Sequence, residues 1–74
     1  MSTNYSVRCY AKLTPDEDFD FYVQQLTEKG LIPDLNEEKR EITYSGNNQL
    51  TEVTYLISIF GMLSEHKIDM HTIH

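Results

Sequence analysis

Residues 48–66 read NQLTEVTYLISIFGMLSEH, and how this stretch folds decides how the rest of the chain must be arranged. At about 100° per residue, Leu50, Val53, Leu56, Ile57, Phe60 and Leu63 share one broad arc. That spacing predicts a helix from Asn48 to His66 with the arc seated on a core. The helix carries more apolar surface than one buried face uses. Tyr55, Ile59, Met62 and the ring of His66 fall on a second line, spaced i, i+4, i+7, i+11. A helix lying on a sheet buries one stripe, so the second stripe needs its own partner, either a neighbouring helix or another molecule.

The flanking segments supply the sheet. Upstream, Arg40–Ser45 alternates, with Ile42 and Tyr44 on one side and Glu41 and Thr43 on the other. Ser45-Gly46-Asn47-Asn48 reads as a turn, with Asn47 or Asn48 capping the helix. Before it, Leu31–Asn36 contains Pro33, which confines a strand there to an edge. Asn36-Glu37-Glu38-Lys39 is polar enough for a hairpin turn. Downstream, Lys67–His74 alternates Ile68, Met70 and Thr72 against Lys67, Asp69, His71 and Ile73, as a closing strand does. At the beginning of the chain, Tyr5, Val7, Cys9, Ala11 and Leu13 face one way, and Ser6, Arg8, Tyr10 and Lys12 the other. Period two with one polar side is a half-exposed strand over Asn4–Leu13.

Between the first two strands, Thr14-Pro15-Asp16-Glu17 carries the marks of a helix start. Thr14 can cap, Pro15 suits the first helical position, and Glu17 stands where a capping-box partner belongs. Asp16, Glu17, Asp18 and Asp20 crowd the end that the helix dipole makes positive. Phe19, Tyr22, Val23 and Leu26 form the core stripe. Gly30 ends the helix in the left-handed conformation and turns Leu31 back on Leu26.

The order is strand, helix, strand, strand, helix, strand in a single domain spanning residues 1–74. This is the α+β ferredoxin-like βαββαβ arrangement, a four-stranded antiparallel sheet with two helices on one face and the first and third strands central. The alternative merges residues 31–39 into a loop and leaves three strands. The fold hosts many unrelated functions. RNA-recognition domains of this shape stack bases on aromatics of the central strands; here that face offers Arg8, Tyr10, Lys12, Glu41 and Thr43. Copper chaperones of this shape use a paired-cysteine loop, and this chain has one cysteine. Ligand-binding regulatory domains of the ACT type usually place a glycine after the first strand, where this chain has Leu13-Thr14-Pro15-Asp16.

Twelve acidic residues against six Lys and Arg give a formal charge of −6. Nucleic acid and anionic membrane surfaces would repel such a chain, whereas a basic protein partner would attract it. The longest apolar segment, Val53–Leu63, is too short to span a bilayer and is interrupted by Thr54, Ser58 and Gly61. MSTNYSVRCY lacks a basic-then-apolar signal pattern, and the lone Cys9 permits no internal disulfide, so a cytoplasmic setting is expected.

No enzyme, cofactor or metal is expected. His66, His71 and His74 lie near Glu65 and Asp69, but in a strand His71 and His74 point to opposite faces. Cys9 sits on the apolar side between Val7 and Ala11, as a small hydrophobe. Helix capping accounts for the acids at residues 16–20. Phe21 is different: it lies opposite the core stripe, on a face shared with Glu17, Gln24 and Glu28, like an interface anchor with a charged rim. The expected partner-binding residues are therefore Glu17, Phe21, Glu28, Tyr55, Ile59 and Met62. The expected function is a small acidic, non-catalytic protein-binding module, an inhibitor or regulator of the kind phages and mobile elements carry. One version covers a basic nucleic-acid-binding surface of its target. A homodimer through the second stripe of residues 48–66 is expected to extend the small core. The alternative is a dimeric ACT-like domain that binds a small ligand.

Overall fold

β1 (Asn4–Lys12) is the axis of the sheet. In the computed structural model, which describes residues 3–73, it pairs antiparallel with β3 (Glu41–Gln49) on one side and β4 (Glu65–Ile73) on the other. β2 (Asp34–Asn36) adds to the far side of β3, giving the strand order β2-β3-β1-β4. With α1 (Phe19–Glu28) after β1 and α2 (Leu50–Gly61) after β3, the chain has the ferredoxin-like βαββαβ arrangement. The alternation within β1 sets the layers. Val7, Cys9 and Ala11 are buried with Ile42 and Tyr44 of β3 beneath Phe19 and Leu26 of α1 and Val53, Leu56, Ile59 and Phe60 of α2. Arg8 and Lys12 stay on the open side.

Several boundaries differ from what the sequence predicts, and the main ones have local reasons. Thr14–Glu17 forms a separate turn, with the Glu17 amide donating to the Thr14 carbonyl at 3.1 Å. α1 then starts at Phe19, capped by Asp18, whose carboxylate accepts from the Phe21 amide at 3.2 Å. Thr14, Pro15 and Glu17 therefore precede the helix. At its other end Gly30 does adopt a left-handed φ of 80°, and the Leu31 amide donates back to the Leu26 carbonyl at 3.1 Å.

The second difference is that Ser45–Asn48 continues β3 instead of turning. Gly46 pairs with Val7, and the Tyr44 side chain runs along the strand over Gly46 to donate to Asn48 Oδ1 at 2.9 Å. The missing side chain of Gly46 makes room for the phenol. Asn48 is thus a buried strand residue, and Gln49 is the N-cap of α2, in a capping box with Glu52.

Third, α2 is shorter than the apolar run, ending at Gly61, while His66 belongs to β4. Leu63 still reaches the core from the connection. Leu50 and Ile57, expected on the core face, are 58% and 43% exposed. The helix rolls so that Val53, Leu56 and Phe60 meet the sheet and Ile59 turns toward α1; this lifts the opposite flank, with Leu50 and Ile57, into solvent. β3 likewise starts at Glu41, because Arg40 takes a left-handed φ of 55° and closes the hairpin turn.

Candidate functional site

Two ties hold the helices side by side and antiparallel. At one end the Tyr55 hydroxyl donates to the Gln25 carbonyl at 2.9 Å, and the Lys29 ammonium stands 5.1 Å from the centre of its ring. Partial burial, and then the negative charge of Glu28, raise the Tyr55 pKa, so the phenol keeps the proton it donates. Ile59, one turn further on, is buried. Of the second apolar stripe, Tyr55 and Ile59 therefore pack within the chain, Met62 remains 61% exposed, and His66 belongs to β4. A homodimer through that whole stripe loses its geometric basis.

At the other end Glu17 is the tie. Its carboxylate accepts from the backbone amides of Thr14 at 2.9 Å and Ser64 at 3.0 Å, joining the start of α1 to the connection after α2. Those two amides, first Thr14 and then Ser64, hold its pKa below the ordinary glutamate value. Arg40 lies against the same turn, donating to the carbonyls of Thr14 (3.1 Å) and Glu17, with its guanidinium carbon 5.9 Å from the centre of the Phe19 ring. Glu17 contributes to an outer surface through its charge, since its oxygens are engaged inside the fold.

Because the folded-state pKa of Glu17 is depressed, its contribution to stability is present above the unfolded-state value and is lost as pH falls through the folded one. Glu17→Gln sets an NH₂ group against one of the two backbone donors. We expect the variant to melt below wild type at pH 7, and the gap to close as pH drops through and below about 4.3. Thermal melts across that range check it; a gap independent of pH would show that the carboxylate charge is not the tie.

The antiparallel pairing brings Phe21 and Met62 to the same end of the helix pair. Phe21 is 44% exposed, held edge-on against Tyr22 with ring centres 5.3 Å apart. At the start of α1 opens a cleft of about 470 Å³, lined by Asp16, Glu17, Asp18, Asp20 and Glu37 with Arg40 among them. Glu28 lies on the same outward line of α1, about 10 Å along the axis from Phe21, and accepts from Gln24 at 3.1 Å. The structure thus gathers Glu17, Phe21 and Met62 at one end, places Glu28 toward the other end of α1, and sets Tyr55 and Ile59 between the helices. Asp16, Asp18 and Asp20 form part of the cleft as well as the acidic run at the start of α1. Glu37 and Arg40 are the members that sequence spacing does not reveal, because they arrive from the β2–β3 turn.

Other side chains have less chemical scope. Cys9 is buried, and burial pushes its thiol pKa up to about 11, which leaves almost no thiolate at neutral pH. Among the described residues, no cluster of three or more His, Cys, Asp or Glu side chains is arranged to hold a metal ion. His71 stands 3.3 Å from Asp69, both well exposed; His74 lies outside the described residues. On the open side of the sheet Tyr10 donates to Glu41 at 3.1 Å, so this tyrosine is tied to a carboxylate and poorly suited to stacking on a polyanion. Among the described residues, no helix is long and apolar enough to cross a membrane. Comparisons with protein-family models, with characterised proteins and with solved structures find no match to this chain.

Proposed function

We propose that this chain is a small acidic protein-binding module that acts without catalysis, as an inhibitor or regulator, by docking on a basic surface of another protein in the cytoplasm. The observation that carries this reading is the pair of exposed apolar side chains, Phe21 and Met62, at the end of the helix pair where a cleft of five carboxylates and one guanidinium opens. An aromatic anchor supplies buried area at low entropic cost, and the acidic rim steers a basic partner and fixes its orientation. The formal charge of −6 adds a long-range attraction of the same sign. A partner surface that otherwise holds nucleic acid fits this description, and occupying it would block that nucleic acid.

The test is a comparison of wild type with Phe21→Ser/Met62→Ser, each tagged and exposed to a cell extract at about 0.05 and 0.5 M salt, which moves the Debye length from about 14 to about 4 Å. The wild type is expected to retain basic proteins at low salt and lose most of them at high salt. The double variant should retain none, while its melting changes little, because both side chains are exposed. Equal retention by wild type and variant, or retention indifferent to salt, would sink this reading.

A further inference from the structure

The two edges of the sheet are built differently. On one side the edge is β2, three residues long and preceded by Pro33, which leaves little backbone for another strand to join. On the other side the edge is β4, nine residues in unbroken register with β1, without Pro or bulge and with every residue but Ile68 exposed. Above this edge the helix side is apolar. Ile68 and Met70 pair with Cys9 and Val7 and so share the core face, yet Met70 is 40% exposed. α1 lies on the Tyr55 flank of α2. Ile57, about 200° round the helix from Tyr55, and Leu50 beside it therefore overhang β4.

The open side of the same edge reads Glu65, Lys67, Asp69, His71. A two-fold axis normal to the sheet maps each face onto itself, so a self-paired edge must oppose residues of equal parity. Centred on Ile68, antiparallel pairing sets Lys67 opposite Asp69 of the second copy twice, and Glu65 opposite His71 twice. On the helix side Ile68 meets itself and His66 meets Met70. A register centred on Asp69 opposes that carboxylate to itself and Lys67 to His71. One centred on Met70 leaves Lys67 against Ile73. The charges on β4 are thus self-complementary in the one register that also centres its most buried apolar residue.

We infer that this protein forms a two-fold dimer by antiparallel β4–β4 pairing centred on Ile68, giving a continuous eight-stranded sheet on which the Leu50/Ile57 flanks of the two α2 helices face each other across the axis. Phe21 lies on α1, away from this edge, so the inference is independent of the docking reading and is tested on the purified chain alone. Sedimentation equilibrium between about 1 µM and 1 mM should show a monomer–dimer system. Lys67→Glu and Asp69→Lys each create two like-charge oppositions and should weaken dimerisation about tenfold or more. Combined, they exchange the charges across the same pairs and should restore it to within about threefold. Ile57→Lys, on an exposed position, should weaken the dimer without changing circular dichroism or melting of the monomer. This variant and Lys67→Glu carry the test if Asp69→Lys, which pairs with Arg8 of β1, disturbs the monomer. A monomer throughout the range, association unchanged by Lys67→Glu and Ile57→Lys, or a folded double variant that stays as weak as its parents would each overturn the inference.

Discussion

Phe60→Ala is expected to remove about 3–5 kcal/mol, a large part of the stability of a chain this small. Phe60 is the largest of the fully buried side chains, set on α2 above the centre of the sheet. Removing a buried phenyl group costs about 3–5 kcal/mol, as lost transfer energy plus an unfilled cavity. At the usual ~0.05–0.15 kcal/mol per residue, a chain of 74 residues has only about 4–11 kcal/mol to lose. With one cysteine there is no disulfide to restrain the unfolded state. Phe60→Leu keeps most of the volume and should cost less than about 1.5 kcal/mol. The informative control is Ile57→Ala at low concentration. Ile57 belongs to the same apolar arc of the sequence but is exposed, and its truncation should cost about 0.5 kcal/mol or less. Urea titrations followed by circular dichroism separate the three variants. Comparable losses for Ile57→Ala and Phe60→Ala would mean that α2 is seated with a different face on the sheet.

That contrast marks where sequence patterning stops being informative. Alternation in residues 4–12 identifies which side of β1 is buried, because a strand has only two faces and one of them is charged. A helix has a continuum of faces, and the arc Leu50–Leu63 is wide enough to roll by tens of degrees and still look buried. Its final roll depends on α1, through the Tyr55–Gln25 hydrogen bond and the burial of Ile59. No local spacing encodes a contact between residues 30 apart.

The end proposed for docking was legible in part. Phe21 stands out because it interrupts the polar side of α1, and Met62 because it falls outside the core arc. The cleft at that end needs Glu37 and Arg40, brought from another turn by a non-glycine residue in the left-handed region. Arginine has no special preference for that conformation, so nothing in the sequence announces it; the guanidinium held by Thr14 and Glu17 stabilises it. Glu17 shows a different limit. The capping spacing Thr14-x-x-Glu17 is real, since the Thr14 amide does donate to the Glu17 carboxylate, but it closes a turn that ends two residues before α1 starts at Phe19.

Gly46→Val is the second substitution expected to cost most of the stability. A Cβ at residue 46 would stand 2.7 Å from the Tyr44 hydroxyl and 3.1 Å from its Cζ, with Asn48 Oδ1 at 3.3 Å. The phenol cannot move without giving up its bond to Asn48, which is only 5% exposed and whose amide reaches Glu52 at 3.3 Å in the capping box of α2. An unpaired buried carbonyl costs about 1–3 kcal/mol, and overpacking by the branched side chain about as much again. Alanine isolates the first contribution. Ordinarily Gly→Ala within a strand gains about 0.5–1 kcal/mol; here Gly46→Ala should be destabilising. Tyr44→Phe removes the same hydrogen bond and should cost about 1–1.5 kcal/mol by itself. In the Tyr44→Phe background the 2.7 Å hydroxyl contact is gone and the ring contact at 3.1 Å remains, so Gly46→Ala should cost clearly less than in wild type, a coupling of about 1 kcal/mol or more between two residues of one strand. Equilibrium unfolding of the four proteins measures it. Additive losses would mean that Gly46 is kept for some reason other than the path of the Tyr44 side chain, and that the continuation of β3 into α2 does not depend on it.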